Sequence, residues 1–383
     1  MLNQAQPLVS VIIATYDRPL LLCKALESLR RQSYRPMEAI VVDDGSPPST
    51  REALQRWRQT ARPDFALRYF RQRNSGPAAA RNAGMAMCEG DYVLFLDDDD
   101  FMQDDAIGHL VEALAGRRHA AAAMGGYRLW HERGADSGMD AFVAPPRMGP
   151  HRALCSMIAG GWFVPIHGYL FNRDALRRAG AWNPLLTSQE DDDFLLAAAM
   201  NGVVFYPCDE ALVYYRQHGG VRRATPGKPD ETVLQGRGKR LRADLAIRES
   251  VFLKLRARGL LDAYRPAFVS WRKRLQARYG DLLADGMPQS PLLRWLEPRA
   301  ERMDSDIVVG ELRGIASPAM QGCGRAPAPE ALTDWSRRAA RPASLPGHVP
   351  ACPAPSISAA ADGPYRARPA RMPGRMPRQP SQE

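Results

Sequence analysis

Short apolar runs alternate with helical segments from Leu8 to Gly116, and this alternation constrains the fold more than any other feature. The apolar runs are rich in β-branched and aromatic residues, which is typical of strands buried on both faces. They are Leu8–Tyr16, Met37–Asp44, Phe65–Gln72 and Asp91–Asp98. Apolar residues at helical spacing follow each run. The pattern predicts an α/β fold with a mostly parallel central sheet flanked by helices.

Composition limits the class of protein and its partners. The chain has 383 residues, 45% of them hydrophobic, and a net charge of +10, so we expect attraction to nucleic acid, a lipid surface or phosphorylated substrates. The six cysteines form no CxxC pair, which indicates neither a zinc site nor a disulfide framework. We see no signal peptide and no membrane-spanning run, and we expect a cytoplasmic protein.

Three regions differ in composition. Residues 7–220 contain the strand–helix alternation and its continuation, and we interpret them as a catalytic domain. Residues 221–316 are predicted to be a basic helical extension. Within it, Gly236–Arg278 has thirteen basic and three acidic residues, an excess as large as the net charge of the whole chain. Residues 317–383, rich in Pro, Ala and Arg, are predicted to be a disordered tail.

Carboxylates follow three of the predicted strands. Asp17 follows the first, Asp43 and Asp44 end the second, and Asp97 to Asp100 lie at the end of the fourth. Ligands of open parallel α/β sheets bind outside the carboxyl ends of the strands, so these acids are expected on one edge. Because alternate residues of an extended chain face the same side, Asp97 and Asp99 point one way and Asp98 the other. Such a pair suits Mg²⁺ or Mn²⁺ shared with substrate phosphates.

The segment "NSGPAAARN" adds a helix N-terminus at the same edge. Such a terminus can receive a phosphate, and Gly76 allows a close backbone approach. Arg81, one turn into the helix, either contributes positive charge to the site or is a solvated helix residue. The segment by itself is equally compatible with an ordinary capped helix.

Six segments occur in the order and spacing found in family 2 glycosyltransferases: "VSVIIATYDRP", "IVVDDGSPP", "NSGPAAARNAG", "YVLFLDDDD", "SQEDDDFLLAAAMNG" and "YYRQHGG". The resemblance covers residues 7–220. It implies a GT-A fold and the transfer of a sugar from a nucleoside diphosphate sugar, with a preference for uridine as the nucleoside.

The resemblance also implies roles for individual residues. Asp97 and Asp99 are similar to a DxD motif that contacts ribose and a metal-bridged diphosphate. Asp191 resembles the catalytic base, and His218 a diphosphate or metal contact. The remaining nucleotide-binding candidates are Ala14, Tyr16, Asp17, Asp44 and Arg81, with Tyr16 packing beside the base and Asp44 accepting a base N–H. Two assignments stay open: whether Asp97 or Asp98 meets the donor, and whether Asp191 or a neighbouring acid is the base.

The chemistry agrees with these residues. Negative charge on the departing diphosphate needs neutralisation, which Mn²⁺ or Mg²⁺ provides, and the acceptor hydroxyl needs a carboxylate to take its proton. One base without a second nucleophile predicts direct displacement with inversion at the anomeric carbon. Trp162 and Gly168 resemble the acceptor-side segment, although a core role for the tryptophan is equally compatible.

Other functions remain as alternatives. A nucleotidyltransferase that makes activated sugars would have a Gly-rich basic loop after its first strand, unlike "TYDRP". A nucleic-acid-binding protein would interleave aromatic residues with its basic ones, so nucleic acid is not expected as a partner. A non-catalytic nucleotide-sugar-binding protein is a further alternative. The expected acceptor is a glycan or a lipid-linked acceptor in cell-surface polysaccharide or glycolipid assembly. The basic helices are expected either to contact an anionic membrane peripherally or to form a solvated face of helices that covers the catalytic domain.

Overall fold

A mixed β-sheet with helices on both faces organises the chain, as a computed structural model shows. The structure describes residues 6–132, 138–218, 229–283 and 290–300, without the side chains of residues 132, 218, 229–234 and 297–300. The predicted disordered tail, residues 317–383, lies outside the described residues.

The predicted alternation of strands and helices is present. The strands are β1 (Val9–Thr15), β2 (Met37–Asp43), β3 (Ala66–Arg71), β4 (Tyr92–Asp97), β5 (Phe101–Met102), β6 (Ala121–Glu132), β7 (Gly138–Met139), β8 (Tyr169–Asn172) and β9 (Val204–His218). The helices are α1 (Pro19–Arg30), α2 (Pro48–Ala61), α3 (Pro77–Met87), α4 (Ala106–Leu114), α5 (Pro150–Ile158), α6 (Arg173–Ala179), α7 (Glu190–Met200), α8 (Pro229–Ala257), α9 (Arg265–Tyr279) and α10 (Pro291–Ala300).

The sheet has the order β3-β2-β1-β4-β8-β6-β9-β5, with β7 paired to β6. The four predicted strands, β1 to β4, are parallel to their neighbours in that half. β8 then runs antiparallel to both β4 and β6, so the second half is mixed. The segments "VVFYP" and "ALVYYRQH" belong to one strand, β9, because a register shift opposite Gly125 and Gly126 accommodates the residues between them.

Alternating side chains of the central strands pack into two cores. Val11 and Ile13 of β1 face α1, α2 and α4, whereas Ile12 faces α3 and the later helices. Helix α3 lies very close to the sheet at Gly84, where a Cβ would approach Ile12 Cγ2 to 2.4 Å. The close packing fixes the N-terminal end of α3 at the carboxyl edge of the sheet.

Helices α8, α9 and α10 extend the core that contains Ile12 beyond the predicted catalytic domain. Phe252, Phe268 and Trp271 are buried there together with residues of α5 and α7. Phe268 meets Trp295 edge to face, which links α9 to α10. Among the described residues, no helix has both the length and the apolar content needed to cross a membrane.

Candidate active site

The carboxyl ends of β1, β2 and β4 lie side by side, so the acids that follow them meet at one edge of the sheet. The strand register pairs Thr15 with Asp43 and Ala14 with Asp97. Tyr16, directly after β1, is 52% exposed at this edge. Asp17 has a left-handed backbone (φ 52°), and its N–H donates to Ser46 Oγ (2.9 Å). The structure therefore brings the nucleotide-binding candidates of these strands together.

Asp44 organises the loop that leads into α3. Its carboxylate accepts hydrogen bonds from Gln72 Nε2 and from the backbone N–H groups of Ser75 and Gly76, each 2.8 Å long. Gly76 has φ +89°, a conformation that favours glycine. Asp44 is buried, and its carboxylate fixes the residues before the N-terminus of α3.

The four aspartates at the carboxyl end of β4, Asp97 to Asp100, have different environments. The Asp97 and Asp99 side chains are 33% and 22% exposed, whereas that of Asp98 is 8% exposed. The predicted alternation is wrong beyond Asp97, because β4 ends there and Asp98 and Asp99 form a turn, in which the Asp100 N–H donates to the Asp97 carbonyl at 3.2 Å. Asp98 and Asp99 consequently share one partner, Arg18 Nη1. Asp98 accepts from Thr15 Oγ1 (2.7 Å) and from Arg18 Nη1 (3.2 Å). Burial, with a smaller contribution from Asp99, raises the pKa of Asp98 to about 6. Of Asp97 and Asp98, the first is therefore the more accessible to a donor.

Arg18 occupies the position beside Asp99 that the resemblance gives to a metal. Its Nη1 donates to Asp99 Oδ2 at 2.6 Å and also contacts Asp98. The other residue expected at the metal, His218, is the last residue of β9 and pairs with Glu132. The side chain of His218 lies outside the described part of the structure.

A second group of metal-binding side chains comprises Asp97, Asp100 and His167. One ligand atom from each lies within 4.8 Å of the others. Asp100 Oδ2 is 3.3 Å from His167 Nδ1, both residues are buried, and neither atom has a hydrogen-bond partner among the described residues. Two oxygens and an imidazole nitrogen suit Mn²⁺, so this group fits a divalent cation. Sequence reasoning missed His167 because only the pairing of β8 with β4 places it beside the acids.

Arg81 joins the acids after β4 to the first turn of α7. Its Nη2 donates to Asp97 Oδ1 at 2.7 Å, and its Nη1 lies 3.5 Å from Glu190 Oε1. The guanidinium also lies over the Trp182 ring, 4.5 Å from its centroid. Arg81 is buried, so the interpretation as a solvated helix residue is wrong.

The pKa of Asp191, in the first turn of α7, is raised into the neutral range. Burial, together with the Asp192 and Glu190 carboxylates, raises the pKa of Asp191 to about 7, and Arg81 opposes that shift. Glu190 is paired with Arg81, and Asp192 lies 3.9 Å from Arg248. Among the described residues, Asp191 makes no such ion pair. A carboxylate of this kind can act as a general base at neutral pH.

Trp162 belongs to the core rather than to an open acceptor surface. Its ring is buried, and its Nε1 donates to Tyr169 Oη at 2.7 Å. Gly168 lies at the end of a 3₁₀ turn (Ile166–Gly168), where a Cβ would meet Val164 Cγ1 at 2.8 Å. Both residues therefore have packing roles in this segment.

Comparisons with known proteins agree with this arrangement. The sequence model of "Glycosyl transferase family 2" matches residues 10–176. The uncharacterized glycosyltransferase EpsJ of Bacillus subtilis is 26% identical over 233 residues, which are 58% of this chain and 65% of EpsJ. The putative teichuronic acid biosynthesis glycosyltransferase TuaG of Bacillus subtilis is 30% identical over 212 residues, which are 55% of this chain and 79% of TuaG.

A solved structure shares the fold. The crystal structure of S. aureus TarS residues 1–349 in complex with UDP superposes with a TM-score of 0.52 and 18% sequence identity. The superposition covers 75% of this chain and 77% of that one. This likeness confirms the predicted GT-A fold.

Proposed function

The chain belongs to glycosyl transferase family 2, and we propose that it transfers a sugar from a nucleoside diphosphate sugar, UDP-linked by preference, to a glycan or lipid-linked acceptor. The transfer inverts the anomeric carbon and depends on a divalent cation. The relative TuaG is named for teichuronic acid biosynthesis, which supports a role in cell-surface polysaccharide assembly.

The position of Arg81 is the main support for this proposal. Its guanidinium contacts Asp97 at the donor edge and Glu190 in the turn that contains Asp191. One buried cation thus contacts both the proposed donor-binding acid and the neighbour of the proposed base. This arrangement suits a transferase, because the groups that hold the leaving diphosphate and the group that takes the proton act on the same reacting centre.

The nucleotide is proposed to bind along the ends of β1 and β2. Tyr16 is exposed and can pack against the base, while Ala14 and Asp17 line the end of the same strand. Asp44 holds the backbone before α3 and remains the proposed acceptor for a base N–H. Asp97 is proposed to contact the ribose.

The cation, Mn²⁺ or Mg²⁺, is proposed to bind at the acids after β4 and to supply positive charge that stabilises the leaving diphosphate. The resemblance assigns Asp99 and His218 to it, and the geometry adds Asp97, Asp100 and His167. Arg18 now neutralises Asp99, so Arg18 must release that carboxylate if Asp99 is a ligand.

Asp191 is proposed to act as the general base. Its carboxylate takes the proton of the acceptor hydroxyl while the hydroxyl oxygen forms a bond to the anomeric carbon. The bond from that carbon to the diphosphate breaks at the same time, and the electron pair leaves with the diphosphate. One displacement from the face opposite the leaving group inverts the anomeric configuration.

The basic extension is proposed to contact an anionic membrane surface. The exposed cations are Lys239, Arg240, Arg242, Lys254 and Arg256 on α8, and Lys273, Arg274 and Arg278 on α9. Such cations attract anionic lipid headgroups, with about 1 kcal/mol per residue close to the surface. Contact there would bring the active site to a lipid-linked acceptor from the cytoplasmic side.

A panel of nucleotide sugars tests the proposal. The full chain is incubated with each donor, with and without Mn²⁺, and release of the nucleoside diphosphate is measured; NMR of the product then gives its anomeric configuration. We expect one donor class to be used, with Mn²⁺ required and inversion observed. Retention of configuration, or equal turnover after chelation of metals, would contradict the mechanism.

A further inference from the structure

Helix α8, which follows the residues matched by the family, places a buried arginine at the catalytic end of α7. Arg248 is 3% exposed. Its Nη1 lies 3.2 Å from Asp244 Oδ1 on the same helix and 3.9 Å from Asp192 Oδ2, next to the proposed base. Trp271 Nε1 of α9 donates to the same Asp244 oxygen at 3.0 Å, which holds that carboxylate in place.

The same guanidinium also holds the end of α5. Arg248 Nε donates to the carbonyl of Ile158 (3.3 Å), and its Nη2 donates to that of Met157 (3.1 Å). Both carbonyls belong to the last turn of α5, where a cation is favourable. One side chain therefore contacts three helices, and its planar fork suits several acceptors at once.

We propose that Arg248 is a positioning residue for sugar transfer, which fixes the first turn of α7, and with it the Asp191 carboxylate, against the end of α5. This inference rests on the proposed function of Asp191. It also means that the basic helical extension contributes to the geometry of the active site.

Several charged groups share this environment. Asp191 faces Glu190 and Asp192 on its own helix, Arg81 from α3 and Asp97 from β4. Asp192 faces Arg248 and Asp244 from α8 and Arg278 from α9, and Asp193 faces Lys254 from α8. Removal of the Arg248 cation leaves an excess of carboxylates, so the acid cluster as a whole binds protons more tightly.

Arg258, an arginine on the surface, offers a control at the other end of α7. It follows α8 directly and donates to the carbonyl of Met200 (2.7 Å) and to Asn201 Oδ1 (2.9 Å). These groups lie at the opposite end of α7, about 15 Å from its first turn for a helix of this length. Arg258→Met should therefore destabilise the same helix without an effect on Asp191.

The experiment compares Arg248→Met, Arg248→Lys and Arg258→Met in the full chain. The first readout is the pH dependence of kcat, and the second is an NMR titration of ¹³C-labelled aspartate. The Asp191 resonance is identified by its loss in Asp191→Asn. Because the titration needs no turnover, failure of the proposed function, seen as an inactive wild type, is distinguished from failure of this inference.

We expect Arg248→Met to raise the midpoint of both titrations by about half a pH unit or more. Its kcat at pH 7 should fall at least about tenfold with donor KM unchanged, because the base is misplaced. Arg258→Met should keep both midpoints. Unchanged midpoints and kcat in Arg248→Met would overturn the proposal.

Arg248→Lys keeps the charge and therefore tests the positioning role of Arg248 even if Arg248→Met does not fold. It should keep both midpoints near those of the wild type, because the cation remains. Its kcat should fall, because an ammonium group cannot reproduce the fork of bonds to Met157, Ile158 and the acids. A kcat equal to that of the wild type would show that Arg248 has no positioning role.

Discussion

Replacement of Arg81 by methionine should destabilise the fold and loosen the active site together. The substitution keeps an unbranched side chain but removes the cation between Asp97 and Glu190. Glu190 is then left buried without its partner, and the Trp182 ring loses the guanidinium above it. Removal of one partner from a buried ion pair costs about 3–5 kcal/mol. Because Asp97 is a third exposed, we expect the lower end, about 3 kcal/mol.

Urea unfolding followed by tryptophan fluorescence measures this free energy. The control is Arg56→Met, which removes an exposed ion pair with Glu52 on α2 and should change stability by no more than about 0.5 kcal/mol. The double variant Arg81→Met/Glu190→Gln should recover part of the loss, since no unpaired carboxylate remains at Glu190. If Arg81→Met is no less stable than Arg56→Met, the bridge does not hold the two acids as described.

Three further results are expected. kcat should rise with pH through about 7, because Asp191 must lose its proton to act as a base and its pKa is raised to that value; a rate that falls over this range contradicts the assignment. Gly84→Ala should cost about 1–3 kcal/mol in thermal or urea unfolding, since the new Cβ meets Ile12, whereas Gly108→Ala, in open space on α4, should stabilise by up to about 1 kcal/mol. The chain should float with liposomes that contain anionic lipid and not with neutral ones; equal, negligible flotation in both would remove the membrane proposal.

The first half of the sheet was predictable because its signals are local. Strands buried on both faces have long β-branched runs, and parallel strands direct their carboxyl ends to one edge. That reasoning placed Asp17, Asp44 and Asp97 together. The alternation predicted for Asp97, Asp98 and Asp99 was wrong, because the strand ends at Asp97 and the next two residues form a turn.

Contacts between distant segments were not predictable. β8 enters the sheet between β4 and β6, and only this pairing brings His167 beside Asp100, 67 positions earlier in the chain. Helix α5 is also difficult to recognise in the sequence, because its run of nine residues is too short for a clear helical period.

The charge count of the basic segment could not show which of its cations are exposed. It treats every cation as a surface group, but Arg248 and Arg265 are buried. Composition cannot distinguish an arginine that donates to helix carbonyls from one that faces solvent. Only the packing of α8 and α9 against the core that contains Ile12 shows which of the arginines are buried.

The substitution Asp191→Asn tests the central claim most directly, because it keeps size and shape and removes only the ability to take a proton. Sugar transfer is measured beside calorimetric binding of UDP with Mn²⁺, with Glu190→Gln, Asp192→Asn and Asp193→Asn in parallel. The account predicts a rate about 10²–10⁴-fold lower, or about 3–5 kcal/mol, with UDP affinity unchanged. Near-normal transfer by Asp191→Asn, with loss of transfer in one of the other three, would contradict the assignment of Asp191 as the base.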